Sequence, residues 1–308
     1  MMMGHMTQSQ PAHQTLRFLQ QRFAEAGIHV KHRHGQNFLI DLNLQRIIVS
    51  SAKLTSDDVV LEVGTGTGAL TAQMAPLAAA VVTVEIDPQL YQLASEELFE
   101  FPSVTMLHLD ALKNKSTFNP RVLEAIDQAM GAAAGRRLKL VANLPYNIGT
   151  PVISNLLSAP IVPVSMTVTI QKELADRIAA SPGTKDYSAL SIWIQSQARV
   201  EVVRVLAPSV FWPRPKVHSA ILNIDIDYER RARITDLKFF HDFVRSLFFH
   251  RRKFFRRQLQ TAVGDRLSSQ EVDSIISEFG FPAETRAEQL PVETILAVAE
   301  AVRSRLPA

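Results

Sequence analysis

The sequence of 308 residues predicts an α/β fold: a seven-stranded sheet covered by helices, with a small all-helical unit behind it. Three observations carry this. From residue 58 onward, apolar runs of strand length alternate with helical patterns, which is how a parallel sheet reads. The first run ends in a glycine-rich turn, Glu62-Val63-Gly64-Thr65-Gly66-Thr67-Gly68, suited to joining a strand to a helix around a ligand. Beyond Tyr228 the strand-like runs stop.

Taken in order, Leu16, Leu19, Phe23 and Ala24 recur at helical spacing up to Gly27, predicting a short amphipathic helix over 14–27. A basic link follows, with His29, His32 and His34. Three histidines so close could bind metal, but no carboxylate cluster accompanies them, and a flexible linker is the preferred reading. Asp41 to Lys53 reads as a second helix. The strands are expected at Val59–Val63, Val81–Glu85, Val104–Leu107, Leu138–Ala142, Met166–Ile170, Val200–Leu206 and Val217–Ile224. Helices fill Ala69–Leu77, Pro88–Phe99, Pro120–Met130, Val152–Leu157 and Lys172–Ala180. Only the Pro-rich turn Pro208–Pro215 separates the last two strands, so the last strand is expected to run antiparallel. Residues 236–257, 269–279 and 292–305 read as helices. The expected organisation is a tail and short helix over 1–30, a catalytic domain over 31–227 and a helical domain over 228–308.

Composition narrows the function classes. No apolar run approaches the roughly 20 residues needed to span a bilayer, so a soluble, cytoplasmic chain with no membrane partner is expected. The first six residues carry no secretory pattern. With no cysteine, Cys-ligated zinc, disulfides and thiol catalysis are excluded. A net charge of +3 announces no nucleic acid by itself, yet residues 228–257 hold ten Lys and Arg against three Asp and Glu. The densest piece interleaves Arg251, Arg252, Lys253, Arg256 and Arg257 with two phenylalanines. That pattern suits phosphate neutralisation, and equally a solvated helix face.

Ligands of such sheets bind at the carboxyl ends of the strands. Gly64, Gly66 and Gly68 would let the first turn bring its backbone close to one. Glu85, ending the second strand, can accept both hydroxyls of a ribose, with Asp87 as the near competitor. Asp110, past the third strand, is placed to accept from an adenine amine. A nicotinamide or flavin enzyme would use similar parts, and glycine spacing alone discriminates weakly. After the fourth strand comes Asn143-Leu144-Pro145-Tyr146: an amide, a constrained backbone and an aromatic ring. That set can hold a planar base by its exocyclic amine, although a plain strand-end turn would also fit.

With these residues together, the chain resembles the ribosomal RNA adenine N6-dimethyltransferases, which dimethylate two adjacent adenines near the 3′ end of the small-subunit RNA. The resemblance covers most of residues 14–260. It rests on Gly35-Gln36-Asn37-Phe38-Leu39-Ile40-Asp41, Glu62–Gly68, Glu85-Ile86-Asp87, Asp110-Ala111-Leu112 and Asn143–Tyr146, with Gln171-Lys172-Glu173, Pro182–Ser188 and Val210–Ala220 in the same order. It implies a Rossmann-like methyltransferase sheet, S-adenosylmethionine as donor and no metal. It also implies that Asn37 and Leu39 lie along the cofactor, Gly64 closes against it, Glu85 holds the ribose, Asp110 meets the adenine and Asn143 bridges cofactor and target. The basic helical surface would meet ribosomal RNA in a pre-ribosomal small subunit. Two departures stand out: Lys31-His32-Arg33-His34, and Phe254-Phe255 where the family has Thr-Leu.

For the chemistry, the Asn143 side-chain oxygen and the Leu144 carbonyl are expected to accept the amine hydrogens. Pro145 would stiffen the turn, and Tyr146 and Phe211 would stack on the two faces of the flipped base; Phe211 as a buried loop anchor is the competing reading. His218 reads as a solvent-facing strand residue rather than a base. Lys172 and Glu173 could line an RNA entrance or pair on their helix. Two other functions stay open: a large-subunit adenine methyltransferase of the macrolide-resistance type, and an RNA-binding assembly factor without turnover. A monomer is expected.

Overall fold

The structure is a computed structural model that describes residues 16–28, 30, 35–250 and 253–306. The link histidines 29, 32 and 34, with Arg251 and Arg252, lie outside the described residues. Seven strands form one sheet: β1 (Asp58–Val63), β2 (Ala80–Glu85), β3 (Val104–His108), β4 (Arg137–Asn143), β5 (Ser165–Gln171), β6 (Ala198–Leu206) and β7 (Ser219–Ile226). Their spatial order is β3-β2-β1-β4-β5-β7-β6. The first five are mutually parallel, and β7 runs antiparallel to both β5 and β6. The chain steps outward from β1 to β3, then returns to β4 on the other side. This reversal between β1 and β4 opens a crevice at their carboxyl ends, where ligands of such sheets bind.

The strands were readable because both sheet faces are covered, which turns parallel strands into near-continuous apolar runs. Every residue of β1 is buried. Val59, Leu61 and Val63 join one core cluster while Val60 joins the other, as a two-residue period requires. Helices α1 (Leu16–Glu25) and α2 (Leu42–Ser51) precede the sheet. The crossovers are α3 (Ala69–Met74), α4 (Pro88–Glu97), α5 (Pro120–Gly131), α6 (Gly149–Leu156) and α7 (Lys172–Ala179). At the far end from the crevice, buried Lys139 of β4 pairs with buried Asp58 of β1 at 3.0 Å, pinning the two strands that flank the reversal.

Several features differ from expectation. An eighth helix, α8 (Ala189–Gln195), stands between α7 and β6. Phe38–Leu39 pairs antiparallel with Phe211–Trp212, and Leu112–Asn114 pairs with Thr117–Phe118. The single helix expected over 236–257 is two: α10 (Leu237–Leu247) and α11 (Phe255–Val263), preceded by α9 (Tyr228–Ala232) and followed by α12 (Ser269–Glu278) and α13 (Val292–Arg303). Phe248 already has the non-helical torsions that end α10, so that helix stops short of the basic stretch. The C-terminal helices do not stand apart. One cluster runs from the sheet through Tyr187, Trp193 and Phe240 to Ile295 and Val298. The Tyr187 hydroxyl donates to the Leu290 carbonyl at 3.0 Å across that junction.

Candidate active site

A cavity of about 360 Å³ fills the crevice. Its wall includes all seven residues expected along the cofactor: Asn37, Leu39, Gly64, Gly66, Glu85, Asp110 and Asn143. Gly64 sits at φ +90°, and a Cβ there would lie 3.2 Å from the Pro145 ring. Only glycine lets the first turn pass so close beneath the second. The Gly66 amide donates to Glu85 Oε2 and the Asp87 amide to Oε1, both at 2.9 Å, fixing the carboxylate at the cavity wall. Burial pushes the Glu85 carboxyl above its ordinary range, while these two amides oppose the shift. Asp87, the competitor for a ribose, is engaged elsewhere. It caps α4 by accepting from the Gln89 and Leu90 amides. Asp110 accepts from the Leu112 amide at 2.9 Å and follows the edge strand β3, three places across the sheet from β4, which ends in Asn143.

Asn143 ends β4. Its Nδ2 donates to the Asn37 carbonyl at 2.9 Å, tying the turn after β4 to the segment before the sheet. This bond settles which way the amide faces. Its Oδ1 is buried and has no hydrogen-bond partner among the described residues. A buried acceptor left unmade costs roughly 1–3 kcal/mol, a cost that a bound donor would remove. Leu144 and Pro145 line the same cavity. Tyr146 faces a second cavity, which shares Gly35, Asn37 and Asn147 with the first. Its hydroxyl lies 2.5 Å from Ser219 Oγ. Gly35, at φ +65°, passes so near the turn that a Cβ would lie 2.8 Å from Asn147 Oδ1.

Comparison with known proteins decides the family. Residues 27–304 match the family described as ribosomal RNA adenine dimethylase. The chain belongs to this family. It is 38% identical over 261 residues to the ribosomal RNA small subunit methyltransferase A of Clostridium acetobutylicum, covering 85% of this chain and 89% of that protein. The protein of the same name from Shouchella clausii is 35% identical over 280 residues, covering 91% and 92%. Among solved structures, a dimethyladenosine transferase from Plasmodium falciparum superposes with a TM-score of 0.72 at 22% identity, covering 86% of this chain and 97% of that one. The 23S rRNA methyltransferase ErmE gives 0.63 at 23% identity, covering 86% and 99%. Both structural likenesses speak to the fold. The small-subunit enzymes are the relatives at 35–38% identity, so the large-subunit reading is not favoured.

As a member of this family the cavity has to fit S-adenosylmethionine, and its residues do. Glu85, held by two backbone amides, offers a carboxylate of the kind that accepts ribose hydroxyls, Asp110 offers a second, Gly64 keeps the turn clear, and Asn143 Oδ1 is an acceptor with no partner among the described residues. Phe211 requires correction. Its side chain is 2% exposed and packs with Leu39, Leu44 and Ile48 in the second core cluster, so neither ring face is open to a base. It is the loop anchor. His218 is exposed, as expected, but it lies just before β7 rather than within the strand. Lys172 and Glu173 pair with Asp176 and Arg177 on their own helix.

On the basic surface, Arg257 is exposed and Lys253 half-buried, while Arg256 is held bidentate by Asp273, with Nη2 to Oδ2 at 2.8 Å. Phe255 is core, edge-on to Phe281. Phe254 is 48% exposed under the Arg286 guanidinium. Sequence reading overlooked Glu62. It is wholly buried, accepts from the Thr71 and Thr83 hydroxyls, and is pushed up to about 8 by burial. The acid closing the first strand, with a threonine nine residues on, was the available signal. Ser219 had none, since 73 residues separate it from Tyr146.

Proposed function

We propose that this chain transfers methyl groups from S-adenosylmethionine to N6 of two adjacent adenines near the 3′ end of small-subunit ribosomal RNA, giving N6-dimethyladenosine. It would act in the cytoplasm, as a monomer, on a pre-ribosomal small subunit. The observation that carries the reading is the Oδ1 of Asn143, buried in the wall of the first cavity and without a hydrogen-bond partner among the described residues.

Asn37, Leu39, Gly64, Gly66, Glu85 and Asp110 would hold S-adenosylmethionine, which supplies an activated electrophilic methyl group. The chain's own task is then positioning. The N6 lone pair of adenine is conjugated into the ring and is a poor nucleophile. Asn143 Oδ1 accepts one amine hydrogen and the Leu144 carbonyl the other, which turns the lone pair out of conjugation and toward the donor. Pro145, packed over Gly64, keeps the turn rigid. Tyr146 supplies one stacking face in the second cavity. A neutral amide stabilises a developing cationic amine less than a carboxylate would, so the rate depends on geometry. In the second round one N–H remains, and a single acceptor suffices to hold it.

The test is transfer of labelled methyl from S-adenosylmethionine to unmodified small subunits and to large-subunit RNA, with Asn143→Ala alongside. Label confined to the small subunit as N6-dimethyladenosine, and reduced by about 10²–10³ in kcat in the variant, is expected. Label in large-subunit RNA would overturn the substrate. Cofactor binding with no transfer to either RNA would favour the assembly factor.

A further inference from the structure

The second cavity, about 500 Å³, shares Gly35, Asn37 and Asn147 with the first and is lined by Tyr146. Its outer wall is the loop that carries Arg214, Pro215, Lys216 and Val217. Among the described residues, two cations line it and no carboxylate does. Both cations are exposed, and neither makes a hydrogen bond or ion pair among the described residues. In contrast, Arg256, Lys172 and Arg177 elsewhere on the surface each have an acidic partner. A pair of unneutralised cations in one short loop repel each other, so their placement calls for an anion.

The loop is also fixed at both ends. On one side Phe38 pairs with Trp212 and Leu39 with Phe211, with the Phe211 side chain buried. On the other, Ser219 pairs with Gln171, and the His218 carbonyl accepts from the Lys172 amide at 2.9 Å. Two anchors hold six residues, so the charges are presented at a set position beside Tyr146 rather than on a free arm. A base stacked on Tyr146 would carry its sugar-phosphate backbone out of this cavity past Arg214 and Lys216.

We propose that the second cavity is the nucleotide-entry subsite, in which Arg214 and Lys216 hold the phosphates flanking the adenosine presented to Asn143. The proposal rests on the target-base reading above. It assigns this loop to the RNA strand at the point of chemistry, separate from the basic stretch at Lys253 and Arg257. Phosphate contacts position a strand without reading its sequence. Arg214 and Lys216 therefore act on the binding of RNA and not on the cofactor.

Arg214→Gln, Lys216→Gln and the double variant test it in two assays. The first is methyl transfer to small subunits across a salt series. The second is direct binding of a short single-stranded oligoribonucleotide with two adjacent adenines, with S-adenosylhomocysteine present. The double variant is expected to raise KM for the particle and Kd for the oligonucleotide by about tenfold. It should also flatten the salt dependence of oligonucleotide binding by about 1.4 in the log–log slope, about 0.7 for each lost phosphate contact. Cofactor affinity and kcat should stay near wild type. An unchanged oligonucleotide slope would overturn the subsite, as would weakened cofactor binding. Weakened binding to particles with an unchanged oligonucleotide Kd would assign the loop to a ribosomal protein instead. If the wild type transfers no methyl to either RNA while oligonucleotide binding keeps its dependence on Arg214 and Lys216, the subsite stands and the enzymatic reading fails.

Discussion

Tyr146 reaches 73 residues forward to Ser219, and their hydroxyls lie 2.5 Å apart. Burial pushes the phenol above its ordinary pKa, with the Ser219 hydrogen bond opposing, so the hydroxyl stays neutral and fixes the ring. Ser219 is a positioning residue on this account. Ser219→Ala and Tyr146→Phe should each lower kcat several-fold, with KM for the cofactor unchanged, and the double variant should be no worse than either single. Additive losses in that double-mutant cycle would mean the two hydroxyls act independently. The Asn-Leu-Pro-Tyr turn alone could have been a plain strand-end turn, and it stood out in the sequence only beside the glycine-rich turn Glu62–Gly68 upstream. Phe211 was misread in part because an aromatic in a proline-rich loop looks like a stacking face until its pairing with Leu39 is seen. Asp87 could not be separated from Glu85 by type, and only the capping of α4 separates them.

Helix α11 starts without a side-chain cap, since Phe254 holds the cap position and accepts nothing there. A threonine at this position would satisfy a first-turn amide, worth about 1 kcal/mol. The ring, however, lies under Arg286 at 6.0 Å, a contact of about 0.5–1 kcal/mol at an exposed site. Phe254→Thr should therefore change stability little in the native background and stabilise clearly in Arg286→Ala. Denaturant unfolding of the four proteins checks it, and equal effects in both backgrounds would remove the Arg286 contact from the account. Elements failed to be read from sequence where period and length gave no signal. Helix α8 is Ala-Leu-Ser-Ile-Trp-Ile-Gln, with Ser191, Ile192, Trp193 and Ile194 all buried in succession, so it shows no amphipathic stripe. The pairing of Phe38–Leu39 with Phe211–Trp212 is two residues long and spans most of the catalytic sheet in sequence. The break between α10 and α11 was hidden because basic and aromatic residues continue at helical spacing in the sequence from one to the other.

At the scale of the molecule, Glu62 sets a pH dependence. Its carboxyl is pushed up to about 8 from an ordinary 4.5. Between those values the folded state keeps a proton that the unfolded state releases, so stability falls as pH rises through the window. One such group gives a slope of up to roughly 1.4 kcal/mol per pH unit. Glu62→Gln cannot ionise yet still accepts from Thr71 and Thr83, and its melting temperature should vary less with pH across this range. Glu85, also raised by burial, leaves a residual slope of the same sign. A Glu62→Gln curve as steep as the wild type would assign the dependence elsewhere.

The continuous core has a consequence for exchange between relatives. Tyr187, Trp193 and Ile194 belong to the sheet half by sequence, yet they share one buried cluster with Phe240, Ile295 and Val298. A cut after Asp227 would strip their cover and leave large apolar faces in water. The helical half is thus no interchangeable cassette: a chimera that swaps it must carry the matching 182–195 segment, or its two halves will meet with ill-fitting surfaces.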